Sequence, residues 1–241
     1  MKTIFALLLI SISGISQTVS RGPYLQQATP TSIIIKWQTN TATNTKVNYG
    51  TVQTNLNSSI TNTVSSTNHE IKITNLQPYT KYFYSIGSTT STLVVAASDV
   101  FFRTMPNYGQ QGDYRFWVIG DAGTGGNSQR DTRTAFLNYN GTKNIDGWIW
   151  LGDNAYEGGF NSEYQSNVFS NNTFENQLKN TVVWPAAGNH DYNNHIPFSP
   201  SPAYLDIFSL PSNGECGGVP SGSEKYYSYN YGNIHFIVLE S

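Results

Sequence analysis

The chain has 241 residues, room for one large domain or two smaller ones with cores of their own. Lys and Arg number 13 against 15 Asp and Glu, for a formal net charge of −2, and charged residues make up only 12%. No basic surplus exists to neutralise a phosphate backbone, which excludes nucleic-acid binding as the main role and predicts a polar, weakly charged surface.

Residues 1–16 read as an export signal: Lys2 supplies the positive start, an apolar run follows from position 4 to 15, and Gly14 and Ser16 offer small side chains near a cut site. The run is short for a membrane span. The expectation is a secreted or periplasmic protein with no membrane association after cleavage. The single cysteine, Cys216, has no partner within the chain for a disulfide.

Residues 17–106 read as an all-β sandwich. Ile33, Ile34 and Ile35 begin a β-branched strand that runs to Trp37, residues 46–50 form a second one, and residues 69–73 alternate apolar and polar side chains. Residues 81–87 are another strand, and Phe102, Arg103 and Thr104 the last one before the exit at Pro106. Residues 107–113 carry two glycines and two glutamines, a linker composition. From 114 to 241 the rhythm changes to α/β. Phe116, Trp117, Val118 and Ile119 form a continuous apolar run expected to be covered on both faces. A helix is expected over 127–139, capped by Asn127 or Ser128 and stopped by Gly141. Residues 148–151, 182–184 and 234–239 are three more strands, so parallel pairing is expected.

The residues that carry chemistry follow the first three of these apolar strands. The runs end in Gly120-Asp121-Ala122-Gly123, in Gly152-Asp153-Asn154-Ala155-Tyr156, and in Gly188-Asn189-His190-Asp191. Ligands of open α/β sheets collect beyond the carboxyl ends of strands, so the three loops are expected to converge. Asp, Tyr, Asn and His offer oxygen and nitrogen donors with no thiolate, a set suited to iron, manganese or zinc. Taken singly, each has an ordinary reading: a turn or cap aspartate, a half-buried tyrosine, a turn asparagine, a surface histidine.

The three motifs, in this order, resemble the first three metal motifs of purple acid phosphatases, a branch of the calcineurin-like metallophosphoesterases. The start Arg21-Gly22-Pro23-Tyr24-Leu25-Gln26 is similar to the N-terminal domain of that family, and Leu76, Pro78, Thr80 and Tyr82 give it a fibronectin type III-like character. The resemblance implies a fibronectin III-like sandwich followed by the first part of an αββα-sandwich phosphoesterase domain. It implies a ferric ion held by Asp121 and Tyr156, a divalent zinc, iron or manganese ion held by Asn189, and Asp153 bridging the two. His190 would contact the phosphate and assist the leaving group. Asp191 is a cap or a supporting partner. The family pattern also has two later His-bearing motifs, which these 241 residues do not contain, so the chain reads as a fragment, inactive by itself.

The remaining histidines, His69, His195 and His235, read as structural or loop residues, and Trp37, Trp117, Trp148, Trp150 and Trp184 as packing. The function expected is acid hydrolysis of small phosphate monoesters. Phosphodiester or nucleotide pyrophosphate hydrolysis on the same metals is an alternative, and a non-catalytic binding or adhesion protein on a degenerate scaffold is another. Oligomeric state is not legible.

Overall fold

The computed structural model describes residues 16–170, 172–192 and 203–240. Most of the expected export signal and His195 lie outside these residues. Among the described residues no helix is long and apolar enough to cross a membrane.

The N-terminal unit is built from six strands, β1 (Val19–Gln26), β2 (Ile33–Gly50), β3 (Ser58–Ile73), β4 (Lys81–Gly87), β5 (Thr92–Val94) and β6 (Phe101–Arg103). All are antiparallel, with β2 at the centre against β1, β3 and β4, and β4 against β5 and β6. The two strands expected at 33–37 and 46–50 are one 18-residue strand, because pairing with β3 resumes beyond a register shift between Gln38 and Thr45. A bulge of that kind bends a strand without ending it. The inward side chains Leu25, Ile33, Ile35, Trp37, Val47, Tyr84 and Phe102 are buried, as period-2 alternation requires.

The second unit holds a parallel sheet, β7 (Phe116–Ile119), β8 (Gly147–Leu151) and β9 (Val183–Ala186), in that order. Helix α1 (Asn127–Asn140) makes the β7–β8 crossover, and a hairpin of β10 (Tyr227–Tyr231) and β11 (Ile234–Val238) follows. The α1 cap is Gly126, one residue before the expected Asn127, and it supplies no side-chain cap bond. Gly141 ends the helix at φ 60°, a backbone region that costs glycine little.

Tryptophans assemble the two faces of this sheet. On one face Trp117 stacks between Phe136 of α1 at 4.1 Å and Trp148 at 4.2 Å, and Phe174 meets Trp148 edge-on at 4.8 Å. On the other face Trp184 stacks on Tyr229 at 3.8 Å, and Phe116 meets Phe236 at 5.0 Å. The expectation that β7 is covered on both faces is corrected here. The rings of the short hairpin meet Phe116 and Trp184, and Tyr227 donates to the Pro185 carbonyl, but Val118 and Leu151 remain 51% and 63% exposed. All five tryptophans are buried.

The units share one core and a polar seam. Arg21 of β1 donates to Gln165 Oε1 (2.8 Å) and to the Asn161 carbonyl (3.0 Å), Tyr24 donates to the Ile207 carbonyl (2.7 Å), and Tyr84 to the Lys179 carbonyl (2.7 Å). Trp148 is fully buried at the centre of the stack. Trp148→Ala is expected to cost about 3–5 kcal/mol in urea unfolding. Tyr139→Ala, on the exposed side of α1, is expected to stay within about 0.5 kcal/mol of wild type.

Candidate metal centre

The site is built from the three loops that leave the carboxyl ends of β7, β8 and β9. Asp121 and Asp153 stand two residues past their strands, both in the left-handed region, with φ 51° and 53°. Non-glycine residues adopt this conformation uncommonly, aspartate more readily than most, and such residues cluster at functional sites. The same turn repeated on neighbouring strands aims two carboxylates at one point.

Tyr156 meets them there. Its hydroxyl donates to Asp121 Oδ1 in a short hydrogen bond and lies 3.0 Å from Asp153 Oδ2. Burial, then the hydrogen bonds to Asp121 and Asp153, then the charges of both carboxylates, push the phenol well above its ordinary range. The phenol therefore holds its proton between two anions. A cation at that point reverses the balance and favours the phenolate.

The other oxygen of Asp153, Oδ1, accepts the His190 backbone N–H at 3.0 Å. The His190 ring lies 4.4 Å from the Tyr156 ring, centre to centre, and its Nδ1 contacts the Glu157 carbonyl. A carbonyl only accepts, so Nδ1 is the donor in this contact and carries a proton. Asn189 opens a 3-10 turn (Asn189–Tyr192) beside Asp153 with its side chain exposed and without a hydrogen bond among the described residues. The structure thus brings Asp121, Asp153, Tyr156 and His190 into direct contact and places Asn189 on the adjoining backbone.

Glycines permit the approach. A Cβ on Gly123 would stand 2.0 Å from the Asn154 carbonyl oxygen, and one on Gly188 would stand 2.3 Å from Asp153 Oδ1.

Sequence reasoning left Asp191 as a cap or supporting partner and passed over Tyr164 and Glu163. Asp191 is fully buried and accepts from the Asn154 N–H (3.1 Å), the Asn154 side-chain amide (3.0 Å), the Gly188 N–H (2.8 Å) and the Tyr164 hydroxyl (2.5 Å). Burial holds its carboxyl above the ordinary range, against the pull of those donors. Glu163 accepts from the N–H groups of Glu157, Gly158 and Phe160, which fixes the loop after Tyr156. A glutamate a few residues after a Gly-Gly loop is the only signal the sequence offered.

Oxygen donors of this kind fit a hard or borderline cation, and two carboxylates facing one phenol lack a neutralising charge. Among the described residues no three His, Cys, Asp or Glu side chains gather in one metal-sized group, so the donor set present is two carboxylates and a phenol, with Asn189 beside them. His69 and His235 stay out of it. His69 is buried, stacks on Trp37 at 4.9 Å and bonds Thr39 and Thr45 through its two ring nitrogens. His235 is exposed and pairs with Asn230. Cys216 is buried as a free thiol, pushed up to about 12 by burial.

A β-rich unit followed by a parallel sheet with three acid- and histidine-bearing loops at its carboxyl end defines a metallophosphoesterase fold. The comparisons with known proteins name its family. The model of the purple acid phosphatase N-terminal domain matches residues 22–104, and that of the calcineurin-like phosphoesterases matches residues 114–239. The chain belongs to the calcineurin-like phosphoesterase family, in its purple acid phosphatase branch. It is 28% identical over 210 residues to purple acid phosphatase 13 of Arabidopsis thaliana, covering 72% of this chain and 36% of that protein. It is 28% identical over 226 residues to probable purple acid phosphatase 20 of the same plant, covering 88% of this chain and 48% of that one. The chain spans between about a third and a half of the length of these curated relatives. In fold it matches the purple acid phosphatase PPD1 from yellow lupin seeds, at TM-score 0.61 and 19% identity over 90% of this chain and 44% of that one. The structure of PhoD matches at TM-score 0.62 and 16% identity, over 92% and 51%.

Two outcomes check the supporting contacts. Asp191→Ala strands the Asn154 and Gly188 N–H groups and the Tyr164 hydroxyl, and is expected to cost at least about 3 kcal/mol in urea unfolding, since each buried orphan costs roughly 1–3 kcal/mol. For Glu163, burial raises the carboxyl but four backbone N–H groups together carry it below its ordinary 4.5. A depressed carboxylate adds stability above its unfolded value and loses it as pH falls through the folded one. Glu163→Gln should therefore be less stable than wild type at pH 6, and the gap should close well below pH 4.5. A gap that persists unchanged at pH 3 would show that the charge of Glu163 does not hold the loop.

Proposed function

We propose that this chain contributes to a dinuclear centre that hydrolyses small phosphate monoesters, as an acid phosphatase does. The observation that carries the reading is the Tyr156 hydroxyl held between the carboxylates of Asp121 and Asp153. The family membership and the named relatives support it.

Asp121 and Tyr156 would hold a ferric ion, Asn189 a divalent zinc, iron or manganese ion, and Asp153 both, since its two oxygens already face different loops. When bound, such ions neutralise the phosphate oxygens and supply an activated nucleophile. The rest falls to the chain's own groups. The Glu157 carbonyl fixes the His190 ring through Nδ1, so a doubly protonated His190 would pass its second proton, from Nε2, to the departing alcohol oxygen. Glu163 keeps that carbonyl in place by gripping the loop from Glu157 to Phe160. Asp191 holds Asn154 and Gly188, and through them the spacing of Asp153 from Asn189. The expected substrate is a small phosphorylated molecule, and the expected location is outside the cytoplasm.

The test is loading with iron and zinc within a longer product that contains this chain. A phenolate on ferric iron absorbs visible light, so the wild-type protein should be coloured. Tyr156→Phe, with nearly the same volume, should be colourless while keeping its fold. Asp153→Ala should lose bound metal as well as any hydrolysis of an aryl phosphate. His190→Ala should keep its metal and colour while kcat drops by about 10²–10⁴, the usual worth of a positioned acid. Stoichiometric iron without a visible band would remove Tyr156 from the ligand set.

A further inference from the structure

A second constellation lies at the opposite end of the parallel sheet, where residues 142–145 approach β8 and residues 180–181 approach β9. A cleft of about 270 Å³ opens there between the two units, lined by Lys81, Phe101, Arg103, Lys143 and the polar side chains of both approach segments. Among the described residues no carboxylate lines it.

Lys81 and Arg103 are directly opposed partners across the β4–β6 pair. Like charges in that position destabilise a sheet. Among the described residues neither makes an ion pair, and neither does Lys143. The cations rest on aromatic rings instead. Lys81 Nζ stands 3.8 Å from the Phe101 ring centre and 4.6 Å from that of Phe83, and the Arg103 guanidinium stands 5.1 Å from that of Tyr79. Among the described residues Arg103 Nε is buried with no hydrogen-bond partner, and its Nη1 reaches the Tyr79 carbonyl at 3.4 Å. Burial and the charge of Arg103 both hold the Lys81 ammonium below its ordinary value.

The carboxylates in the neighbourhood are engaged elsewhere. Asp99 pairs with Lys179 at 2.8 Å. Asp146 accepts from the Arg115 N–H, the Asn144 amide, the Tyr231 hydroxyl and, at 3.4 Å, the hydroxyl of Tyr79, the ring on which Arg103 rests. Ring stacking offsets part of the repulsion between Lys81 and Arg103, but it supplies no negative charge.

We propose that this cleft binds a small oxyanion of the phosphate or sulfate class, held by Lys81, Arg103 and Lys143 between the two units. A tetrahedral oxyanion supplies what the cleft lacks: net negative charge and several acceptors for one guanidinium and two ammonium groups. The anion would join β4 and β6 of the N-terminal unit to the approach segments of β8 and β9, so binding stabilises the junction.

The test uses chelator-treated protein, so that no metal ion competes for the anion. Thermal unfolding is followed as inorganic phosphate rises to about 10 mM, because a ligand of the folded state raises Tm by mass action. Sodium chloride at matched ionic strength separates binding from screening. Phosphate and sulfate should raise Tm beyond the chloride control. Lys81→Met keeps an apolar stem on Phe101 and Phe83 while removing a charge. It should unfold at the wild-type temperature or above it without anion, and bind phosphate at least about tenfold more weakly, the scale of one charge-assisted hydrogen bond. Arg103→Gln should weaken phosphate binding likewise. Asp121→Asn, in the candidate metal centre, should keep the full phosphate response. An equal rise with chloride, an undiminished response in Lys81→Met and Arg103→Gln, or a response lost in Asp121→Asn would each overturn the proposal.

Discussion

A buried carboxylate without a cationic partner among the described residues organises the candidate centre. Asp191 is fully out of water and survives there because four donors from three segments point at it. Burying a charge is tolerated only when its lone pairs are filled, and filling them fixes whatever carries the donors. The donors come from the loop after β8 (Asn154), the loop after β9 (Gly188), and the π-helical turn Tyr164–Val168. Asn154 adds a bond to the Ala186 carbonyl, at the end of β9 itself. The spacing between the second and third loops is therefore a property of the core.

That clamp makes close backbone approach possible, and glycine makes it sterically allowed. Gly188 can lie against Asp153 only because it has no side chain, and Gly123 meets Asn154 in the same way. The glycine before each site loop thus has a different task from the acid it accompanies. Gly152, at φ 97°, turns the chain, while Gly188 and Gly123 clear space. The aspartates at φ 51° and 53° carry the remaining strain at the point where function needs two carboxylates together.

Much of this was legible in the sequence, for identifiable reasons. Apolar runs such as Phe116-Trp117-Val118-Ile119 mark short parallel strands by composition alone, and motif residues directly after them locate the loops. β2 was not legible as one strand, because its polar middle between Gln38 and Thr45 reads as a turn until β3 is seen pairing across it. The exposure of Val118 depends on how far a hairpin more than a hundred residues later extends, which no local pattern encodes. Tyr164 was missed because its burial and its bond to Asp191 come from tertiary packing of a segment with little apolar periodicity. Asp191 was visible as a motif residue, but its task depends on partners that only the fold assembles.

The π-helical turn also explains why the N-terminal unit matters to a centre it does not enter. Arg21 of β1 donates to Gln165, whose side-chain amide in turn donates to the Ser20 carbonyl, and the Arg21 guanidinium lies over the Phe169 ring at 5.0 Å. Gln165 is the neighbour of Tyr164, so the strand that begins the first unit grips the turn that presents a hydroxyl to Asp191. From Arg21 to Gln165, from Tyr164 to Asp191, and from Asp191 to Asn154 and Gly188, each step is a hydrogen bond or a single peptide unit. A chain of short-range contacts of this kind transmits position. The N-terminal unit therefore acts as the outer brace of the loops, and Arg21, buried at the seam, is where that brace attaches.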